Sequence, residues 1–207
     1  LFRSLDRLRR KYKDEVKAKD GSLTLTVFAM KAVVSALKAY PRVNASLDPE
    51  AGEIILKNYY HMGIAVDTDR GLIVPVIRDV DQKSITDLAI ELQALARRTR
   101  KGKATLDEMQ GGTFTITNVG ILGGTSFSPI INYPEVAILG MARARWQPVV
   151  RQKSTDEGET QMETVPRFML PLILTFDHRV LDGADAARFM RHVIQMLENP
   201  EKFLLMV

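Results

Sequence analysis

Phe168-Met169-Leu170-Pro171-Leu172-Ile173-Leu174-Thr175-Phe176-Asp177-His178-Arg179-Val180-Leu181-Asp182-Gly183 is the stretch on which the reading of this chain turns. Phe168 to Phe176 is its most apolar run and predicts a buried strand, and Gly183 to Asn199 predicts a long helix. A core strand that ends in a polar cluster fixes where the cluster sits, and Gly183 permits a tight turn into the helix. An unperturbed imidazole titrates at about pH 6.5, so a neutral His178 can take a proton from a thiol of pKa about 8.5 and return it later. That makes His178 a candidate general base for a thiol-dependent acyl transfer. The plainer alternative is a histidine satisfied within an ion cluster with Asp177 and Arg179, and spacing alone leaves the two readings level.

Working outward, Thr113 to Thr117 alternates as a strand and Val136 to Ala144 is another, with a Gly-, Ser- and Pro-containing loop from Val119 to Asn132 between them. Attack on a thioester places negative charge on the carbonyl oxygen, and Thr117 at the end of its strand could donate a hydroxyl to it. It could equally be an ordinary β-branched strand residue, with Asn118 a turn former. Glu53 to Lys57, Met62 to Asp67 and Gly71 to Ile77 read as strands, the last two forming a hairpin through Thr68-Asp69-Arg70-Gly71. Gln152 to Gln161 is polar and reads as a hairpin loop, and Asn44-Ala45-Ser46 as a turn. Leu5, Leu8, Tyr12 and Val16 mark an amphipathic helix that stops near Asp20-Gly21, and Thr24 to Tyr40 marks a core helix that Pro41 ends. Ser84-Ile85-Thr86-Asp87 opens a surface helix with Leu88, Leu92, Leu95 and Ala96 on one face.

A chain of 207 residues, 45% of them hydrophobic, suits one domain spanning 1–207. A net charge of +4 without a basic run interleaved with aromatics argues against nucleic acid, and Arg9, Arg10, Lys11 and Lys13 read as the solvated face of a helix. The absence of cysteine excludes disulfides and thiol nucleophiles and fits a reducing compartment, with the cytoplasm as the default. No apolar stretch approaches the roughly 20 residues of a membrane span. His61 and His192 read as structural, and three scattered histidines offer no metal site. Gly120, Gly123 and Gly124 lack the Gly-Lys-Ser/Thr of a nucleotide loop. Leu1 opens inside charged helical sequence, so further domains are expected upstream.

Five blocks together resemble one family. They are Tyr40-Pro41-Arg42-Val43-Asn44-Ala45-Ser46, then Gly63-Ile64-Ala65-Val66-Asp67-Thr68 with Gly71-Leu72-Ile73-Val74-Pro75-Val76, then Gly111-Gly112-Thr113-Phe114-Thr115-Ile116-Thr117-Asn118, Pro134-Glu135-Val136-Ala137-Ile138-Leu139-Gly140 and the His178 motif. In this order they resemble the catalytic domain of the dihydrolipoamide acyltransferases of 2-oxo acid dehydrogenase complexes. The blocks around Asp67 and Thr117 set the chain apart from chloramphenicol acetyltransferase, which shares His-x-x-x-Asp-Gly.

The resemblance implies an α/β fold like that of chloramphenicol acetyltransferase, a two-layer sandwich of a mixed sheet flanked by helices that forms trimers. It implies acetyl transfer between the dihydrolipoyl thiol of a separate lipoyl domain and coenzyme A, in the core of a pyruvate dehydrogenase complex. His178 would be the base, Thr117 the oxyanion donor at a position where many members carry Ser, and Asp182 an orienting, ion-pairing acid. Asp67, Asn118, Ala142 and Ala144 would lie along the coenzyme A channel, although some relatives have Gly where Ala142 stands. Trimers would share active sites between subunits and build a core of 24 or 60 chains. Upstream domains would recruit the 2-oxo acid decarboxylase and dihydrolipoamide dehydrogenase components. The apolar tail Phe203-Leu204-Leu205-Met206-Val207 would be buried against a neighbouring subunit. Asn118-Val119-Gly120 and Asp182-Gly183-Ala184-Asp185 depart from the succinyl-transferring pattern. A branched-chain acyltransferase and a non-catalytic structural core stay open as alternatives.

Overall fold

The structure, a computed structural model, describes residues 2–154 and 160–205. Helix α1 (Phe2–Lys17) turns Leu5, Leu8 and Val16 toward the core, and Asp6 holds Arg9 and Arg10 at 2.8 Å. The chain leaves it through Asp20, at a left-handed φ of 60°, a conformation that aspartate tolerates. Helix α2 (Leu25–Ala39) is buried almost all round: Val27, Phe28, Met30, Val33 and Leu37 are sealed from solvent, each contributing about 2 kcal/mol. Pro41 ends it.

Strands β1 (Ala45–Asp48) and β2 (Glu53–Leu56) form an antiparallel hairpin. A broken arm follows, made of β3 (Met62–Ile64), β4 (Val66–Thr68), β5 (Gly71–Ile73) and β6 (Val76–Ile77). Helix α3 (Ile85–Arg100) opens on Ser84, whose Oγ accepts the Asp87 amide at 3.1 Å, and closes on Arg97, Arg98 and Arg100, which complement its dipole. Then come β7 (Phe114–Asn118), β8 (Ala137–Met141), β9 (Arg145–Ser154), β10 (Thr160–Met169), β11 (Leu172–Phe176) and α4 (Gly183–Glu198).

The central sheet runs β11-β8-β7-β3-β6, with β3, β7 and β8 parallel and the two outer strands antiparallel to their neighbours. Phe114 of β7 meets Phe189 of α4 with ring centres 5.7 Å apart, so the helices cover one face of the sheet and give the mixed-sheet, two-layer α/β architecture that was expected. Thr113, Thr115 and Thr117 alternate with Phe114 and Ile116 and so turn to the opposite face.

Four sequence expectations change. Asn44-Ala45-Ser46 is no simple turn: Ala45 begins β1, the first strand of a hairpin with β2, and Asn44 Nδ2 donates to the carbonyls of Lys57 and Tyr59 at 2.6 and 3.0 Å just beyond it. The Met62–Asp67 and Gly71–Ile77 runs each split, because Ala65 turns its amide to Ile116 O of the main sheet while β4 and β5 pair separately as the hairpin tip. The Gln152–Gln161 loop is narrower than expected, since β9 and β10 pair as far as Ser154 and Thr160; positions 155–159 lie outside the described residues. The apolar Phe168–Phe176 run breaks at Leu170-Pro171, leaving Phe168 and Met169 in β10. In the tail, Phe203 packs on Phe28 of its own chain at 5.9 Å, whereas Leu204 is 78% exposed. Met206 and Val207 lie outside the described residues.

Candidate active site

A cleft of about 520 Å³ opens where β7 and β8 end, between the sheet and helices α2 and α3. Asp67 from β4, Asn118 from β7, and Ala142 and Ala144 after β8 all line it, so four residues from three separate sequence blocks share one wall. Thr26, Ile64, Leu92, Ala96 and Leu170 add to the lining, and Arg9, Arg100 and Arg143 bring positive charge to it. The volume falls within the range of small-molecule sites.

The strand end is tied down locally. Asn118 Nδ2 donates to Thr26 Oγ1 of α2 at 3.2 Å, and its Oδ1 accepts the Gly120 amide at 2.9 Å. Gly120 then runs so close to the next strand's exit that a Cβ there would sit 2.7 Å from the Ala142 carbonyl oxygen and 3.0 Å from Arg143 Cα. Only glycine lets these backbones meet. Thr117, 8% exposed, is next to Asn118 but faces the other side of the sheet, and it is not part of the cleft lining.

At the far end of β11 the chain presents His178 to solvent. Arg179 bonds Asp177 through both carboxylate oxygens, at 3.0 Å from Nε and 2.6 Å from Nη2, and holds the Asp177 carboxyl below its usual range. The ion pair considered as a structural alternative is therefore made between the two residues that flank the histidine. The His178 ring lies 5.5 Å from that of Phe176. Asp182 is the N-cap of α4: its Oδ1 accepts the Asp185 amide at 2.8 Å. That bond first, then the Ala184 amide and the charges of Arg188 and Arg42, keep its carboxyl ionised below the normal range. Arg42 Nη2 donates to Val180 O at 2.8 Å, bracing the turn between His178 and Asp182.

Register separates Thr117 from His178. Thr117 pairs with Gly140, Gly140 pairs with Ile173, and β11 then runs the opposite way to His178. At the usual rise and strand spacing, five residues along and two strands across place the two about 19 Å apart. The cleft residues come together within this chain; the histidine and the threonine do not. His61, which accepts the Asp79 amide at Nδ1, and His192, held by Ser35 and with its pKa lowered by burial, serve the fold.

Sequence reasoning missed Thr26, Arg100 and Arg143. The basic end of α3 was visible in the sequence, but which of its residues turns to the cleft depends on how the helix packs on β4. Among the described residues no group of three or more acidic or histidine side chains could hold a metal ion, and no helix is long and apolar enough to cross a membrane.

A family model described as 2-oxoacid dehydrogenases acyltransferase (catalytic domain) matches residues 2–205. The chain is 48% identical over 198 residues to the dihydrolipoyllysine-residue acetyltransferase component of pyruvate dehydrogenase complex of Staphylococcus aureus, covering 95% of this chain and 44% of that protein. It thus spans under half the length of that relative. Two solved structures are similar over 97% of this chain and 79% of theirs. One, at TM-score 0.87 and 44% identity, is of Azotobacter vinelandii dihydrolipoamide acetyltransferase, studied for the roles of a serine, a histidine and an asparagine in its catalytic mechanism. The other, at 0.86 and 45%, is the cubic core of the pyruvate dehydrogenase multienzyme complex. A chloramphenicol acetyltransferase, 15% identical at TM-score 0.51, shares the fold alone. The chain therefore belongs to the family of 2-oxoacid dehydrogenase acyltransferases and carries its catalytic domain.

Proposed function

We propose that this domain moves an acetyl group between the dihydrolipoyl thiol of a lipoyl domain and coenzyme A, as part of the core of a pyruvate dehydrogenase complex. The observation that carries the reading is the cleft: Asp67, Asn118, Ala142 and Ala144 converge on it, and Arg9, Arg100, Arg143 and the start of α2 make it electropositive. A long, thin ligand bearing phosphates suits such a channel. The names of the relatives support the acetyl group and the complex.

In the reaction, His178 takes the proton of the coenzyme A thiol as its sulfur bonds to the carbonyl carbon of the acetyl-dihydrolipoyl thioester. The Thr117 hydroxyl donates to the oxyanion of the tetrahedral intermediate. Collapse breaks the carbon–sulfur bond to the dihydrolipoyl group, whose thiolate recovers the proton from His178. Asp182 acts through the helix cap, fixing the turn that carries the histidine. The separation of about 19 Å within one chain favours an active site shared by two copies, His178 from one and Thr117 from its neighbour. Trimers of this kind would assemble into a core of 24 or 60 chains. Upstream domains would bring the lipoyl group and the 2-oxo acid decarboxylase and dihydrolipoamide dehydrogenase components.

Comparing acetyl-, isobutyryl- and succinyl-coenzyme A as donors to dihydrolipoamide on the purified protein tests the reading. The highest kcat/KM is expected for acetyl. A preference for isobutyryl would assign a branched-chain acyltransferase, and a folded core without any transfer would assign a structural subunit.

A further inference from the structure

Glu135 stands just before β8, is 6% exposed, and has no part in the chemistry above. Its Oε1 accepts a hydrogen bond of 2.9 Å from Thr115 Oγ1 on β7, and its backbone amide donates to Asn132 O at 2.9 Å. Oε2 has no hydrogen-bond partner among the described residues. Burying a carboxyl with one oxygen unpaired is unfavourable, so the fold holds it there against a cost. The seat is cut for it: a Cβ on Gly112 would lie 2.9 Å from Oε1. Its place in the register is equally specific. β11 pairs with β8 through Phe176 and Ala137, and the Asp177 amide continues the ladder to Val136 O at 2.8 Å. There the ladder ends, because Asp177 O accepts the Val180 and Leu181 amides, so His178 opens the turn one residue after the last bond to the β8 segment, and Glu135 immediately precedes the residue that makes that bond.

We propose that Glu135 is a positioning residue for His178: by tying the start of β8 to Thr115 of β7, it fixes the Val136 carbonyl that holds Asp177, the residue from which the His178 turn departs. The inference rests on the reading of His178 as the base. Burial pushes the Glu135 carboxyl up to about 7, against the pull of Thr115, Asn132 and Lys57, so an uncharged hydrogen-bonding group satisfies the position. A glutamine of the same shape will therefore serve, and a leucine will not.

The test compares Glu135→Gln, Glu135→Leu, Thr115→Val and His178→Ala by steady-state acetyl transfer, with assembly mass and thermal unfolding measured on each. Glu135→Leu and Thr115→Val are expected to lower kcat by about tenfold or more while KM for coenzyme A stays within about twofold, since the cleft lies at the other end of the sheet. Glu135→Gln restores kcat to within about threefold. Normal assembly with parental kcat in Glu135→Leu, beside an inactive His178→Ala, overturns this inference alone. So does a joint loss of kcat and coenzyme A affinity that glutamine fails to rescue. Should Glu135→Leu not assemble, Thr115→Val, which removes one hydroxyl, decides by the same criterion. An active His178→Ala sinks the underlying reading and this one with it.

Discussion

The two ends of the central sheet are built in opposite ways. Where β7 and β8 finish, side chains from helices α1, α2 and α3 and from the strands close around a cleft, and the strand exits lock together through Asn118 and Gly120. Where β11 finishes, one histidine stands in solvent between the members of an ion pair, at the root of a capped helix. The first end is shaped to hold a molecule and the second to present a group. Each is rigid through its own local bonds and lacks what the other has. On the reading proposed above, holding and proton transfer fall at opposite ends of one chain's sheet, and two copies placed end against end would bring them together.

The harshest way to break this comparison is His178→Ala, which is expected to lower kcat about a thousandfold while KM for coenzyme A moves less than about threefold; steady-state transfer to dihydrolipoamide checks it. A matched rise in KM would show the two ends to be one site. Thr117→Val comes next, with a loss of about a hundredfold that Thr117→Ser largely avoids. Co-assembling His178→Ala and Thr117→Val chains sharpens the point: random mixing gives about a quarter of the sites both groups, so activity returns if sites are shared and stays absent if each chain is self-sufficient.

A third change probes stability near the histidine end. The Glu135 carboxyl titrates at about 7 in the fold against 4.5 when free, so the unfolded chain ionises first and native stability falls as pH rises between those values. The shift amounts to about 3 kcal/mol. Glu135→Gln removes that slope, which urea unfolding at pH 5 and pH 8 would reveal; an unchanged slope would mean that the carboxyl is ionised throughout. The smallest effect belongs to the cleft rim. Arg100→Gln and Arg143→Gln should each raise KM for coenzyme A about three- to fivefold at unchanged kcat, and the difference should shrink in high salt. A salt-independent change would assign these arginines to packing.

All four helices could be read from the sequence because their signals are local: the left-handed Asp20 before Gly21, Pro41, the Ser84 cap and the three-to-four-residue apolar spacing. The strands were legible where apolar residues alternate with threonines, as at Phe114 and Ile116, and less so where pairing alone makes them. β1 depends on β2 several residues away, and β9 and β10 form a two-stranded ribbon with Trp146, Val150 and Met162 exposed, so no period-two burial pattern marks them. The cleft residues Asp67, Asn118, Ala142 and Ala144 came from ordered motifs rather than from periodicity. Thr26, Arg100 and Arg143 had no such marker. Glu135 sat inside a recognised block, yet its burial arises from Gly112, Thr115 and the β8 register together, which no single stretch displays.

The bare backbone at Gly120 restricts how descendants of this sequence can diversify. With the Ala142 carbonyl 2.7 Å from where any Cβ would stand, the strand side of the channel mouth is closed to single-step mutation. Leu92 and Ala96, on the partly exposed helix α3, line the same space with no backbone pressed against them in this way. Lineages that drift in cofactor preference should record that history on the helical wall, while the strand wall stays the same across them.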